Sequence, residues 1–208
     1  MPKFVSSNSK KICIICEGYE EYDYIVSLKN LNVWNKVYSI VPKNAKSIDN
    51  ISAIYQNEYS NDNFDLVLIF CDTEMPPYNK FISLKEKLKK IFGSHKAVQS
   101  IIFFANPCTM QIILSHFGLQ KLMSNEKNYN SGIIKDLTGV KDYRGAELQR
   151  QSLMKKINSM NYIKLKENLK YLGSNEDEPG STNFLQLLEN LESNNTGWIQ
   201  KIIKKLES

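Results

Sequence analysis

Two apolar segments of this sequence end in acidic residues. Residues 12–15 (Ile-Cys-Ile-Ile) are followed closely by Glu17, and residues 66–70 (Leu-Val-Leu-Ile-Phe) are followed by Asp72 and Glu74. Short continuous apolar runs of this kind are typical of buried strands in a parallel sheet. If the two strands are neighbours, their carboxylates meet at one edge of the sheet and can hold a divalent cation.

The chemistry open to such carboxylates is that of a hard metal ion. Mg²⁺ takes oxygen ligands and keeps several waters, so two or three carboxylates are enough. One or two such ions activate water and neutralise charge on a phosphodiester. Glu17 would be a further ligand or a general acid/base, and Gly18 permits a tight turn beside a phosphate. Alternatively, these are solvated loop carboxylates, and Glu20 and Glu21 only favour the first turn of a helix.

The elements that must position these residues alternate between strand and helix. Strands are expected at 11–16, 36–41, 64–71 and 100–105, and helices at 20–30, 47–59, 85–92 and after residue 107. Ser47 is the expected N-cap of the second helix, and Pro42 is expected to end the second strand. This order predicts an α/β domain over residues 10–118, with a mainly parallel four-stranded sheet flanked by helices. Right-handed crossovers bring the carboxyl ends of the strands to one edge, where ligands bind.

Residues 119–208 are predicted to form an all-helical extension packed on that domain. Apolar residues approximate helical spacing across 144–170, from Leu148 to Leu169. A breaker segment at 173–180 separates them from a helix capped by residues 181–183 and from a final helix that begins near Trp198.

Composition sets limits on the class of protein. The chain has 208 residues, 42% of them hydrophobic and 24% charged, which is ordinary for a globular protein. Its formal net charge of +5 is compatible with a nucleic-acid partner without identifying one. Four lysines in a tract that also carries tyrosines are candidates to follow a nucleic-acid backbone: Lys155, Lys156, Lys164 and Lys166.

The cysteines and histidines favour structural roles. Cys13 and Cys16 have a C-x-x-C spacing, but positions i and i+3 of a strand point to opposite faces, so buried reduced thiols are expected. A cytoplasmic location is the corresponding expectation. His116 is expected in the core or at its edge, and His95 in a surface turn. Residues 1–11 carry no secretory apolar region, and no segment reaches the roughly 18 apolar residues of a membrane span.

Together these motifs resemble the Toprim fold, which has a glutamate after its first strand and a D-x-D after its third. The sequence between Ile15 and Tyr24, together with Asn106-Pro107-Cys108 and His116-Phe117, is similar more narrowly to RloB-like and OLD-type Toprim proteins. That resemblance spans roughly residues 11–118. It implies a bacterial metal-dependent nuclease, or a relative of one, linked to restriction or phage-defence loci.

The resemblance also implies roles for individual residues. Glu17 would be the catalytic or metal-binding glutamate, Glu21 a ligand of a second metal, and Asp72 with Glu74 the acidic pair. The pair here is D-x-E, and Thr109-Met110 follow Asn-Pro-Cys where the RloB-like pattern has an aromatic and an acidic residue.

The leading hypothesis is therefore a Mg²⁺- or Mn²⁺-dependent Toprim-type phosphodiesterase, with Glu17 and Asp72 catalytic, acting on DNA or RNA with or without a partner ATPase. The alternative is a non-catalytic Toprim-like module that binds nucleic acid or serves as a scaffold. A weaker third is a phosphotransfer domain with Asp72 as nucleophile. A dinucleotide site is not expected, because no G-x-G-x-x-G follows the first strand.

Overall fold

The computed structural model describes residues 9–208. Its strands are β1 (Lys10–Cys16), β2 (Tyr38–Asn44), β3 (Leu66–Asp72) and β4 (Ile102–Ala105). Its helices are α1 (Tyr19–Leu31), α2 (Ile48–Ser60), α3 (Asn79–Phe92), α4 (His95–Ile101), α5 (Met110–Leu114), α6 (Lys127–Thr138), α7 (Glu147–Met154), α8 (Ser159–Leu169), α9 (Phe184–Glu192) and α10 (Gly197–Leu206). The prediction for the amino-terminal segment concerns mainly residues 1–8, which lie outside the described part of the chain.

The four strands form one parallel sheet in the order β2-β1-β3-β4. Strands β1 and β3 are therefore the two central strands, and Ile12 of β1 is in register with Ile40 of β2 and Leu66 of β3. Both central strands are almost wholly buried, as their continuous apolar runs predict. The predicted α/β fold with a four-stranded parallel sheet is confirmed.

Helices cover both faces of this sheet. On one face, Tyr24 of α1 and Phe184 of α9 contact Phe70 of β3, with ring centroids 6.5 and 4.8 Å apart. On the opposite face, Phe81 of α3 packs against Phe104 of β4, with ring centroids 6.3 Å apart. Helices of the chain's second half thus contribute to the core around the sheet.

The outer edge of β4 is covered by the segment before α9. The Asn183 side chain accepts a hydrogen bond from the Phe104 amide at 2.8 Å and donates one to the Ile102 carbonyl at 2.9 Å. An isolated antiparallel bridge joins Ala105 to Thr182. A side-chain amide therefore takes the place of a fifth strand and satisfies backbone groups that an edge strand leaves unpaired.

The prediction that Pro42 ends the second strand was wrong. Strand β2 continues to Asn44, with Pro42 in register with Ile14. Because β2 is an edge strand, a residue without an N–H group can lie in it without removing a ladder bond.

Helix predictions in the second half were only partly correct. The expected helix over 144–170 is divided into α7 and α8, because the Asn158 side chain caps α8 by accepting hydrogen bonds from the amides of Met160 and Asn161. Leu148 and Met160, assigned to the apolar face, are about four-fifths exposed. Helices α4 and α6 were not predicted, and α4 replaces the expected start of the fourth strand at Ser100. Ser47 does cap α2, by accepting from the Asp49 amide.

Within residues 9–208, no helix is both long enough and apolar enough to span a membrane.

Candidate acidic site at the carboxyl edge of the sheet

The acidic residues that follow β1 and end β3 meet at the centre of the sheet edge. The Glu17 amide donates to the Phe70 carbonyl at 3.0 Å, which continues the pairing of the two strands. Two residues further along β3, the Asp72 amide donates to Oε2 of Glu17, also at 3.0 Å. The parallel connectivity therefore brings these two carboxylates together, as the sequence predicted.

Asp72 is fixed by the loop that follows β4. Its Oδ1 accepts hydrogen bonds from the Thr109 amide at 2.7 Å and from the Thr109 hydroxyl at 2.8 Å. Thr109 is fully buried, and its two hydrogen bonds hold the Asp72 carboxylate in position. Its role was missed from the sequence, where it was noted only as a departure from the RloB-like pattern.

The first turn of α1 adds two more buried carboxylates. Oε2 of Glu21 accepts a hydrogen bond from the Gly18 amide at 2.8 Å, which is one half of a capping box. A Cβ atom at residue 18 would lie 3.2 Å from that oxygen, so glycine leaves room for the carboxylate. Glu20 accepts a hydrogen bond from the buried Tyr143 hydroxyl and lies 3.4 Å from the ammonium group of Lys127. Glu20 was not among the predicted site residues.

Glu74 lies at the exposed side of the same region. It has a left-handed backbone conformation, with φ of 62°, and its carboxylate forms an ion pair with Lys80 at 3.0 Å. Its amide donates to the Pro107 carbonyl at 3.1 Å. This predicted ligand thus lies near Asp72, but its charge is partly balanced by a lysine.

A cavity of about 340 Å³ opens beside these carboxylates. Glu17 lies next to it without contributing to its lining. The C-terminal helices contribute two cations to its wall, Lys127 from α6 and Arg150 from α7. The full lining comprises Gly18, Tyr19, Glu20, Glu21, Asp72, Glu74, Cys108, Asn125, Lys127, Gly145 and Arg150.

The proximity of the carboxylates changes their acidity. Burial, and then repulsion from Glu21, raises the pKa of Glu17 to about 8. Burial and the charges of Glu21 and Glu17 raise the pKa of Asp72 well above its usual range, and burial with the charge of Glu20 raises the pKa of Glu21. Carboxylates that repel one another in a poorly solvated site are stabilised by a cation.

A cysteine in the cavity wall is not a candidate nucleophile. Burial, and then the charge of Asp72, raises the pKa of the Cys108 thiol well above its ordinary value, so the unreactive thiol form dominates. All four cysteines are buried and free, including Cys13 and Cys16, for which buried thiols were predicted.

The carboxylates have the donor chemistry that Mg²⁺ or Mn²⁺ prefers. Protein hydrogen bonds engage Oε2 of Glu17 and Oδ1 of Asp72, and among residues 9–208 no hydrogen bond engages the second oxygen of either carboxylate. In the same part of the chain, no group of three or more His, Cys, Asp or Glu side chains is arranged to hold a metal ion. The residues therefore fit a site with two protein carboxylates, in which water and substrate supply the other ligands.

The four lysines predicted to bind nucleic acid lie outside the cavity wall. Lys164 donates to the Phe117 carbonyl, and Lys166 pairs with Glu192 at 2.7 Å. Lys155 and Lys156 are exposed in the turn between α7 and α8. The structure does not bring these lysines to the acidic site, and their nucleic-acid role stays a prediction.

The histidines have the structural positions that the sequence favoured. His116 is fully buried, and its Nε2 lies 2.9 Å from the Tyr24 hydroxyl. His95 begins α4 on the surface, where its Nε2 lies 2.8 Å from the ammonium group of Lys89. Neither residue lines the acidic cavity.

A larger cavity, of about 510 Å³, lies beside β4 and away from the acidic site. Its wall includes Lys85 and Glu176, which form an ion pair with each other, and the edge-covering Asn183. The carboxylates with raised pKa values lie at or beside the smaller cavity, which makes it the candidate functional site.

The fold and the site define an α/β protein with an acidic cavity at the carboxyl edge of a four-stranded parallel sheet. Comparisons of the chain with protein-family models, with curated proteins and with solved structures found no match.

Proposed function

We propose that this chain is a metal-dependent phosphodiester hydrolase of the Toprim type, acting on DNA or RNA. The observation that carries the proposal is the arrangement of Glu17 and Asp72. Each is anchored through one oxygen by a protein donor, and no hydrogen bond within residues 9–208 engages its second oxygen. Donors that fix a ligating side chain in this way are typical of metal sites.

Glu17 and Asp72 would hold Mg²⁺ or Mn²⁺, with Glu21 and Glu74 as additional carboxylates in the wall of the same cavity. When bound, the ion supplies charge neutralisation at the phosphodiester and a water of lowered pKa. Thr109 keeps the Asp72 carboxylate in position. Burial, and then the charge of Glu20, raises the pKa of Glu21, which suits it to hold a proton beside the bound ion.

Support for the Toprim assignment comes from the sheet and its acidic ends. Four parallel strands alternate with helices, and the acidic residues follow β1 and end β3, the two central strands. A role in bacterial defence or in a mobile element, and a partner ATPase, rest on the sequence resemblance alone.

Divalent-dependent cleavage tests the proposal. Purified protein is incubated with plasmid, single-stranded DNA and RNA in Mg²⁺, Mn²⁺ or EDTA. We expect cleavage only with metal, and a loss of at least about 100-fold in Glu17→Gln and in Asp72→Asn. Glu86→Gln, on the exposed surface of α3, is the matched control and should cleave as the wild type does. Equal cleavage by Glu17→Gln, Asp72→Asn and wild type would reject the assignment.

A second candidate function is a non-catalytic module that binds nucleic acid. It is favoured by one observation, that residues 9–208 contain no preformed group of three metal-ligating side chains. This alternative predicts salt-sensitive binding that survives Glu17→Ala, with no turnover in any metal. Fluorescence anisotropy across a salt series, together with the cleavage assay, separates the two functions.

A further inference from the structure

The cavity beside Asp72 has cationic and aromatic groups as well as carboxylates in its wall. Tyr19, Lys127 and Arg150 come from three different helices, α1, α6 and α7. Two positive side chains would repel a bound cation, so they are not expected in a site that binds only a cation. The combination of a cation, an aromatic ring and nearby carboxylates is instead suited to a ligand that has both a phosphate and a flat ring system.

Tyr19 is placed to stack on a base. It is the first residue of α1 and is 55% exposed, whereas its neighbours Gly18, Glu20 and Glu21 are buried or half-buried. The Arg150 guanidinium carbon lies 5.2 Å from the centre of its ring. An exposed aromatic ring steadied in this way offers a stacking surface with little rotamer entropy left to lose.

Arg150 is held in place before any ligand arrives. Its Nε donates to Asp23 at 2.7 Å, and its Nη1 donates to the Gly145 carbonyl at 2.6 Å. Two of its five N–H donors are thereby used for positioning. In the part of the chain that the structure describes, Nη2 donates to no other group, so it can meet a phosphate oxygen.

The Lys127 side chain lies against Gly145 and lines the cavity. Its ammonium group lies 3.4 Å from Glu20 and 5.8 Å from the centre of the Tyr143 ring. A Cβ atom at residue 145 would force the end of the Lys127 side chain to move, and the φ of 77° at Gly145 favours glycine in any case. Lys127 is 41% exposed, which leaves it accessible to a ligand.

The cavity volume limits what can enter. At about 340 Å³ it is at the small end of ligand sites, close to the space that one nucleotide needs. A duplex presents its bases stacked and paired, and a base must leave the stack to meet an aromatic side chain. The site therefore suits an unpaired nucleotide.

We propose that this cavity binds one nucleotide of a single-stranded nucleic acid, with its base on Tyr19 and its phosphate between Lys127 and Arg150. This inference rests on the proposed function, because the phosphate lies near carboxylates whose charge the metal offsets. It also assigns substrate binding to α1, α6 and α7, and not to the lysines around α8.

Binding without turnover tests this inference. Fluorescein-labelled short single-stranded DNA, single-stranded RNA and duplex DNA are titrated with full-length protein in Ca²⁺, and anisotropy is measured. We expect the wild type to bind one or both single strands more tightly than the duplex. Lys127→Ala and Tyr19→Ala should each weaken that binding about tenfold, whereas Tyr19→Phe should stay within about twofold. Lys127→Ala should also lower the salt slope by about one.

Control variants test whether the loss of oligonucleotide binding is specific to the cavity. Lys87→Ala removes one charge from the exposed surface of α3, outside the cavity, and should bind as the wild type does. A combined Lys155→Ala and Lys156→Ala variant should lose less affinity than Lys127→Ala alone. Wild-type affinity in Lys127→Ala and Tyr19→Ala, a preference for duplex, or a loss confined to the Lys155 and Lys156 variant would each overturn the inference.

Calorimetry with Mn²⁺ alone separates this inference from the proposed function. If the wild type binds Mn²⁺ but the Tyr19 and Lys127 variants bind oligonucleotide normally, the nucleotide pocket is rejected and the metal site stands. If those variants lose oligonucleotide binding but the wild type binds no Mn²⁺, the pocket is supported and the metal-dependent function is rejected.

Discussion

The backbone amide of Asp72, at the end of β3, donates a hydrogen bond to the carboxylate of Glu17, which follows β1. The contact joins the two central strands at the edge where ligands bind in parallel sheets. It holds one oxygen of Glu17 at 3.0 Å from the Asp72 nitrogen, and no hydrogen bond within the described residues 9–208 engages the other oxygen. The acidic site is thus built from backbone geometry as well as from side chains.

Removing the Thr109 hydroxyl should weaken metal binding. Thr109→Val deletes the 2.8 Å hydrogen bond to Oδ1 of Asp72 and keeps the shape of the side chain. Because groups that hold a metal ligand typically contribute 10- to 100-fold to affinity, we expect Mn²⁺ affinity to fall by about tenfold in calorimetry. Thr109→Ser keeps the hydroxyl and should stay within about twofold. Equal affinity in the valine and wild-type proteins would contradict this role.

The metal-free protein should lose stability as the pH rises. The pKa of Glu17 in the folded state, about 8, is above its ordinary value near 4.5, so the folded state binds the proton more tightly. The resulting stability is present below pH 4.5 and is lost as the pH rises through 8. In urea unfolding between pH 5 and 9, we expect the free energy of unfolding of wild type to fall relative to Glu17→Gln, by on the order of 3 kcal/mol. Parallel curves for the two proteins would refute the prediction.

His116 should have the opposite effect in acid. Burial lowers its pKa from 6.5 to about 4, so the folded state binds the proton less tightly than the unfolded state. Its contribution is present above pH 6.5 and is lost as the pH falls toward 4. Relative to His116→Gln, the wild type should lose about 3 kcal/mol of stability across that interval. The substitution also disturbs packing against Tyr24, but that cost does not depend on pH. If the difference between the proteins were constant with pH, the prediction would fail.

Asn183 should matter for both stability and association. Asn183→Ala leaves the Phe104 amide and the Ile102 carbonyl without their side-chain partners at the open edge of β4. We expect the free energy of unfolding to fall by about 1–3 kcal/mol, and aggregation to increase because the edge is uncovered. Denaturant unfolding and light scattering measure the two effects. Asn128→Ala, on the exposed surface of α6, should change neither.

The sequence was sufficient for the sheet and for part of the site. Buried apolar runs identified two strands, and parallel connectivity placed Glu17 and Asp72 at the same edge of the sheet. That these strands are central neighbours, so that the two residues meet, comes from the structure. Pattern reasoning failed where a local contact decided the outcome, as when the Asn158 side chain began a new helix inside an apparently continuous apolar pattern.

Other parts of the site depend on tertiary packing that no local pattern encodes. Lys127 and Arg150 reach the cavity only because α6 packs on α5 and α7 packs beside α1. Thr109 lies in a buried loop, and its contact with Asp72 joins residues 37 positions apart. Basic residues near α8 were favoured because several lysines lie close together there in the sequence. Lys127 and Arg150 are isolated in the sequence, so no charge pattern marks them.

The measurement that tests the central claim most directly is an anomalous-diffraction experiment on crystals of the protein soaked with Mn²⁺. We predict a peak bound by the carboxylates of Glu17 and Asp72, and no such peak in crystals of Glu17→Gln treated in the same way. A well-ordered site without a peak between these two carboxylates, or a peak that persists in Glu17→Gln, would contradict the proposed metal site.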